Sequence, residues 1–159
     1  MQSRALITAF LFFIAGSGIF ICNVSSDEIK HSGIVTVTNE TRYFVQHPDV
    51  NPVVFNKEYY AKGNVIFTTG ERIDGDHLIL TFMDETQYTR DEDVEVLLRY
   101  PSDACNGNDI SFISIYTYIS SLAADAYIVD GGIRKSCAEI LMVANKTSNF
   151  GYQIYIYGY

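Results

Sequence analysis

The sequence predicts an all-β protein, a small antiparallel β-sandwich, with a barrel as the alternative. Runs of β-branched and aromatic residues recur along residues 27–159, and turn residues separate them at spacings of roughly 8–15 residues. The chain contains no tryptophan, so the tryptophan that packs on the disulfide of antibody domains is absent. The predicted sandwich is therefore not of the immunoglobulin type.

Residues 1–26 have the layout of a secretory signal peptide. Arg4 precedes an apolar run over residues 5–22, and small polar residues follow before a plausible cleavage point. We expect cleavage to leave residues 27–159 as a single secreted β domain, since this length suits one core and is too short for two. Two alternatives stay open: an uncleaved membrane anchor, for which the run is just long enough, and a cytosolic protein that buries the run.

The first half of the domain contains several predicted strands. The β-branched and aromatic runs that predict them cover residues 34–38, 42–46, 59–69, 77–82 and 94–99. The runs 59–69 and 77–82 are expected to pair across a turn at 70–75. Residues 47–52 are predicted to form a loop, because two prolines interrupt any strand there. The polar run 83–93 is also predicted to be a loop.

The second half has a clearer pattern. Strands are predicted over residues 110–119, 123–129, 137–144 and 151–157, with turns at 130–132 and 145–149. Both faces of the run 110–119 are apolar, as expected of a strand in the middle of a sandwich. The glycines at 131 and 132 suit a turn, since glycine adopts positive φ without a steric penalty.

The charge of the chain limits its partners. The net charge is −8, and removal of Arg4 with the leader makes it −9 for residues 27–159. An acidic chain without a basic stripe repels phosphate backbones and anionic lipid surfaces. We therefore expect no direct nucleic-acid binding and, after cleavage, no membrane binding. The expected partner is a protein or small molecule of unknown identity.

Cleavage would remove Cys22 and leave two cysteines, Cys105 and Cys137. An even pair in an oxidising compartment predicts one disulfide. In the chain-entropy model, closing a loop of about 33 residues contributes roughly 3–4 kcal/mol. The alternative is that the two thiols lie too far apart to bridge. We expect no zinc site, because zinc takes four ligands and the histidines lie far upstream.

Two N-glycosylation sequons begin at Asn39 and Asn145. In a secreted chain each is a candidate glycan acceptor on an exposed turn. Sequons also arise by chance, so the motif alone does not show that either asparagine carries a glycan.

No catalytic motif is apparent, and the Gly-x-Ser-x-Gly nucleophile motif is absent from the sequence. His77 beside Asp74 and Asp76 could act as an acid/base group, but a solvent-facing turn explains these residues better. The acidic run 91–93 and the oxygen-rich run 103–109 could bind calcium; a solvated charge run and an ordinary loop explain them better. We expect no enzyme, no catalytic residue, no cofactor and no metal site.

Tyrosines crowd the end of the sequence and recur on a predicted neighbouring strand. The C-terminal group is Tyr152, Tyr155, Tyr157 and Tyr159, and the neighbouring strand carries Tyr116 and Tyr118. An exposed tyrosine ladder offers amphipathic contact area to a protein or sugar partner. The competing interpretation is that tyrosine is a good strand former that shields a sheet face. The four C-terminal tyrosines are the candidate interaction surface.

Five short motifs follow one another in the C-terminal part. They are Gly75-Asp76-x-Leu78, Tyr100-Pro101, Ile-Ser-Phe-Ile-Ser-Ile at 110–115, Gly131-Gly132 and Gly-Tyr-Gln-Ile-Tyr-Ile-Tyr-Gly at 151–158. In this order and spacing they resemble the small arthropod family named after multiprotein bridging factor 2. The resemblance covers roughly residues 64–159.

This resemblance implies a transcriptional coactivator that bridges regulatory factors and the general transcription machinery, although many relatives carry signal peptides. The leader and the lack of a basic nuclear-localisation cluster favour secretion here. We therefore expect a secreted, non-enzymatic binding protein. The coactivator role is the first alternative. The second is an extracellular carrier of a small apolar ligand, which requires an interior cavity of a few hundred Å3.

Overall fold

The computed structural model describes residues 29–60 and 64–159, so the predicted signal peptide lies outside the described residues. Within them the strands are β1 (Lys30–His31), β2 (Val35–Thr36), β3 (Val53–Val54), β4 (Asn56–Tyr59), β5 (Val65–Gly70), β6 (His77–Tyr100), β7 (Ile110–Ile119), β8 (Ala124–Gly131) and β9 (Ala138–Gly158), and the one helix is α1 (Tyr43–Gln46). All strand pairings are antiparallel. The all-β prediction is confirmed.

Two long strands, β6 and β9, run through the whole sheet and pair along almost their whole length. Residues 94–100 of β6 and 138–144 of β9 belong to layer 1, whose order is β1/β2–β6–β9–β8–β3. The other halves of the two strands belong to layer 2, whose order is β6–β9–β7–β5–β4. The sheet therefore divides into two layers that share the same two strands.

Hydrogen bonds join the far ends of the two layers. Ile110, at the start of β7 in layer 2, donates its N–H to the Lys135 carbonyl (2.9 Å), and Arg134, just beyond β8 in layer 1, donates its N–H to the Ile110 carbonyl (2.8 Å). The two ends of β9 are thereby brought together, so the pair of strands β6 and β9 is folded back on itself. The result is the sandwich-like arrangement that the sequence predicts.

One apolar core lies between the layers. Because side chains alternate along a strand, Ile154 and Ile156 of layer 2 point inward, as do Ile140 and Met142 of layer 1, and all four are at most 1% exposed. β7 lies between β9 and β5, which confirms the prediction of a central strand at 110–119. Burial of such side chains, at roughly 25 cal/mol per Å2 of apolar surface, is the main favourable term in folding.

The disulfide prediction is also confirmed. Cys105 and Cys137 are bonded, with their Cα atoms 4.8 Å apart. The bond ties the loop between β6 and β7 to the start of β9. It therefore closes the end of the molecule where the two layers meet.

A cluster of hydroxyl groups holds the bend in β9. Lys146 adopts a positive φ of 54°, and the register of β6 against β9 shifts at the same level. The buried Thr147 hydroxyl donates to the Asn149 carbonyl (2.5 Å) and lies 3.0 Å from the Ser120 hydroxyl. Ser121 donates to the Asn145 carbonyl (2.5 Å). The loop between β7 and β8 is thus fastened to the bend, which belongs to β9 and not to a separate turn at 145–149.

The prediction of a strand at 42–46 is wrong, because residues 43–46 form α1. The N–H of Tyr43 donates to a carboxylate oxygen of Glu95 (2.9 Å), and Phe44 packs edge-on against Tyr127 at 5.1 Å between ring centroids. These contacts with layer 1 come from distant parts of the chain. They override the strand preference of the local sequence, which is weak evidence on its own.

Two further predictions for this half of the chain are wrong. Residues 83–93 continue β6 and do not form a loop; here β6 pairs only with β9, and an edge strand with a solvated face tolerates polar side chains. The expected pairing of 59–69 with 77–82 does not occur. Instead β5 pairs with β4 and β7, while the start of β6 pairs with the end of β9.

Replacing Thr147 with valine should destabilise the protein by about 1–3 kcal/mol, since it removes a buried hydroxyl and leaves its partners unsatisfied. Urea denaturation would measure the free energy of unfolding. The matched control is Thr89→Val, at an exposed position of β6, which should change stability by less than about 0.5 kcal/mol. Equal effects of the two substitutions would contradict the role assigned to the hydroxyl cluster.

Candidate interaction surface

The outer face of layer 2 carries a row of aromatic side chains. On β9, Tyr155 and Tyr157 point away from the core, because Ile154 and Ile156 point into it. The adjacent strand β7 contributes Phe112, Tyr116 and Tyr118 on the same side. We call these five residues the aromatic face: Phe112, Tyr116, Tyr118, Tyr155 and Tyr157.

The rings of this face contact one another across the strands. Tyr116 meets Tyr155 edge-on, with centroids 5.7 Å apart and planes at 84°, and Phe112 lies 6.1 Å from Tyr157. Such geometries are the favourable ones for aromatic pairs. The guanidinium of Arg72 lies over the ring of Tyr157, 3.7 Å from its centroid, in a cation–π contact. Four of the five rings are therefore supported by a neighbouring ring on the adjacent strand.

Apolar surface extends from the rings toward both edges of the layer. Tyr116 is 42% exposed and Tyr118 54%, and Met83 on β6 is 64% exposed. On the other side, Tyr60 and Ile66 join Tyr116 and Tyr118 around a surface groove of about 150 Å3. Several exposed apolar side chains on one face of a sheet mark a candidate interaction site.

The structure divides the four predicted C-terminal tyrosines. Tyr155 and Tyr157 lie on the aromatic face, and Tyr159 is exposed at the end of the chain. Tyr152 does not belong to the surface, because it is 1% exposed in the core. Burial, followed by the charge of Asp84, raises the pKa of the Tyr152 hydroxyl. Its even-numbered position, shared with Ile154 and Ile156, was the signal that it points inward.

A hydrogen-bonded turn holds one end of the aromatic face. The carboxylate of Asp76 accepts hydrogen bonds from the Arg72 guanidinium (2.7 and 2.9 Å), the Ser111 hydroxyl (2.7 Å) and the Ile73 N–H (3.1 Å). The Arg72 guanidinium, with help from the other two donors, holds the pKa of this carboxyl well below its usual range. Asp76 thus fixes Arg72 over Tyr157. This role was missed, because nothing local in the sequence links Asp76 to Ser111.

The other members of the predicted acid/base group remain apart from these contacts. Asp74 and His77 are exposed, and the hydrogen bonds of Asp76 go to Arg72, Ile73 and Ser111. The hydrogen bonds of Asp76 therefore support the structure of the turn.

The two runs considered for calcium have ordinary partners. In the run 91–93, Asp93 accepts hydrogen bonds from Arg42 (2.6 Å) and from the Lys146 N–H (2.9 Å), and Glu92 pairs with Arg90 (2.6 Å). The run 103–109 lies in the loop that the disulfide closes. Across residues 29–60 and 64–159, no three His, Cys, Asp or Glu side chains are grouped so that they could hold a metal ion. The same part of the chain has no helix long and apolar enough to cross a membrane.

The two sequons differ in accessibility. Asn39 lies exposed in a turn, as predicted. Asn145 is half-buried in β9, its side-chain oxygen is buried without a hydrogen-bond partner, and its N–H donates to the Ala123 carbonyl (2.9 Å). Thr147 of the same sequon is fully buried. The expectation of an exposed turn at Asn145 is therefore wrong.

The aromatic face and its supporting turn fall within a segment that a protein-family model recognises. The model described as Transcription activator MBF2 matches residues 69–158, which is more than half of the chain. The chain belongs to the MBF2 family. This confirms the resemblance found in the sequence motifs, and the matched segment spans β6 to β9. No curated protein and no solved structure matches the chain significantly.

Replacing Asp76 with asparagine should lower stability at neutral pH, since an amide cannot replace the charge that Arg72 pairs with. The pKa of the Asp76 carboxyl in the folded state lies below the ordinary value of 3.8. The extra free energy of unfolding of the wild type over the variant is therefore complete above pH 3.8. It falls as the pH drops toward the folded-state pKa. Urea denaturation at a series of pH values would measure both proteins. A wild-type advantage that does not change between neutral and strongly acidic pH would contradict this assignment.

Proposed function

We propose that this MBF2-family protein is a secreted, non-enzymatic binding protein that contacts a protein partner through the aromatic face. The observation that carries the proposal is the group of paired rings on the outer side of layer 2, of which Tyr116 and Tyr118 are exposed. Tyrosine is enriched at protein interfaces, because its ring supplies apolar area and its hydroxyl a hydrogen bond.

The construction of the face favours binding. Its rings stand on two paired strands, β7 and β9, and four of the five contact a ring on the adjacent strand. Side chains already held in place lose less conformational freedom when a partner docks, so less of the interaction energy is spent on ordering them. Aromatic side chains supported by their neighbours on a sheet are therefore well suited to anchor a partner.

Three features support secretion. Residues 1–26 have the pattern of a signal peptide, Cys105 and Cys137 form a disulfide, and the sequon at Asn39 is exposed. The non-enzymatic role is supported by the position of Asp76, whose carboxylate is occupied by structural hydrogen bonds.

The second candidate function is transcriptional coactivation, and the description of the matching family favours it. A coactivator that bridges proteins needs a protein-binding surface and no contact with DNA, so the same aromatic face would serve. The two functions differ in where the protein acts. The carrier alternative is less favoured, because close-packed buried side chains occupy the space between the layers.

Expression of the full chain in eukaryotic cells should deliver the protein to the medium without residues 1–26. Intact mass should show one cystine and one N-linked glycan. Asn39→Gln should remove the glycan, whereas Asn145→Gln should leave it in place, because Asn145 is half-buried and Thr147 of its sequon is fully buried.

The same experiment can also contradict secretion. Protein recovered inside the cells with Met1 present and with free thiols at Cys105 and Cys137 would contradict secretion. A nuclear pool of that form would support the coactivator role instead.

A photo-crosslinking amino acid at position 118 should give a covalent adduct of discrete mass when the secreted protein is incubated with the fluid or tissue extract in which it occurs. Tyr118 is 54% exposed on the aromatic face, and Val53, 57% exposed on β3 of layer 1, is the matched control position. Adding Tyr116→Ser should abolish the adduct at position 118. Adducts of equal yield from positions 118 and 53, or none from 118, would contradict the proposed surface.

A further inference from the structure

A second groove lies on the outer face of layer 1, where the segment between β2 and β3 crosses the sheet. It encloses about 470 Å3, within the range of sites for small ligands. Leu97 and Leu141, which are cross-strand partners, form its floor. Tyr43 and His47 line one wall, with their rings stacked at a centroid distance of 4.3 Å. The groove therefore has an apolar floor and an aromatic wall.

The charges at this groove are predominantly negative. Glu95 and Glu139 line it, and none of its described lining residues is a lysine or an arginine. Glu95 is 6% exposed, and one of its oxygens accepts the Tyr43 N–H. The chain as a whole has a net charge of −8, which raises the local concentration of cations at such a site.

Glu139, which lines the groove, belongs to a row of the sheet with an unusual order of charges. Lys30, Arg99, Glu139 and Asp130 are cross-strand partners in succession, so both cations lie on one side and both acids on the other. Directly opposed like charges on a sheet are destabilising. Neither Glu139 nor Asp130 forms an ion pair with another described residue. A cation placed beside these two acids would relieve their repulsion.

Tyr43 links the two ends of the groove. Its N–H donates to Glu95, and its ring lines the groove together with Glu139, the cross-strand partner of Asp130. Burial, followed by the charges of Glu139 and Asp130, raises the pKa of Tyr43. The aromatic wall and both glutamates therefore line the same groove.

We propose that this groove binds a small organic ammonium ion. The ammonium group lies between Asp130 and Glu139, where it can pair with both carboxylates and approach the Tyr43 ring. The apolar body of the ligand covers Leu97, the half-buried member of the floor. This site lies on the layer opposite the aromatic face and does not depend on the function proposed for that face.

Tryptamine is a direct probe for the site, because the chain contains no tryptophan and indole fluorescence would come from the ligand alone. The anisotropy of tryptamine should rise on titration with the secreted protein. Indole-3-acetate, which has the same ring and the opposite charge, should show no rise at the same concentrations. Raising the salt concentration should weaken tryptamine binding, as expected for a partly exposed charge pair.

Two conservative variants locate the site. Glu139→Gln and Asp130→Asn should each weaken tryptamine binding by about tenfold, since each removes one partly solvated charge contact. Glu58→Gln, on β4 of layer 2, should bind like the wild type. Asp130 is exposed, so its variant provides the test even if Glu139→Gln perturbs folding, which circular dichroism would show.

Three outcomes would overturn the proposal. They are no binding of tryptamine by the folded wild type, equal binding of tryptamine and indole-3-acetate, and wild-type affinity in both acid variants. In the last of these cases, weaker tryptamine binding by Tyr116→Ser would place the site on the aromatic face.

Discussion

The bend shared by β6 and β9 is the constraint on which the rest of this structure depends. Both strands run through the two layers, so the only way to bury the apolar side of each half is to fold the pair back on itself. The bend is formed by a positive φ at Lys146 and a shifted register in β6, and the hydroxyls of Ser120 and Thr147 contact each other there. Polar groups at the bend thus allow the apolar groups on both sides of it to meet.

The folded sheet has two outer faces, and they differ in how far other segments of the chain cover them. The outer face of layer 1 is partly covered by the segment that contains α1, so Leu141 is buried there although it points away from the main core. No described segment covers the aromatic face of layer 2 in the same way, and Tyr118 and Met83 stay largely exposed. An aromatic sheet face left in solvent is costly unless it is used. This asymmetry, more than any single residue, supports binding through layer 2.

The sequence predicted the features that depend on local pattern and failed where distant contacts decide. Alternation identified the central strand at 110–119 and also contained the evidence that Tyr152 points inward, although that residue was first grouped with exposed tyrosines. By contrast, α1 forms because Tyr43 meets Glu95, 52 positions away along the chain. The role of Asp76 likewise depends on Ser111, 35 positions away. No window of neighbouring residues contains such pairs, so pattern reasoning cannot find them.

The two proposed sites have different relations to the family. The aromatic face and its Arg72–Asp76 turn lie within residues 69–158, the segment matched by the MBF2 model. The groove of layer 1 takes its floor and its acids from the same segment, but its aromatic wall, Tyr43 and His47, comes from the chain before it. A function common to the family can therefore reside in the aromatic face. Ligand binding in the groove also requires the preceding segment, and is to be expected only in chains that place a comparable aromatic wall over layer 1.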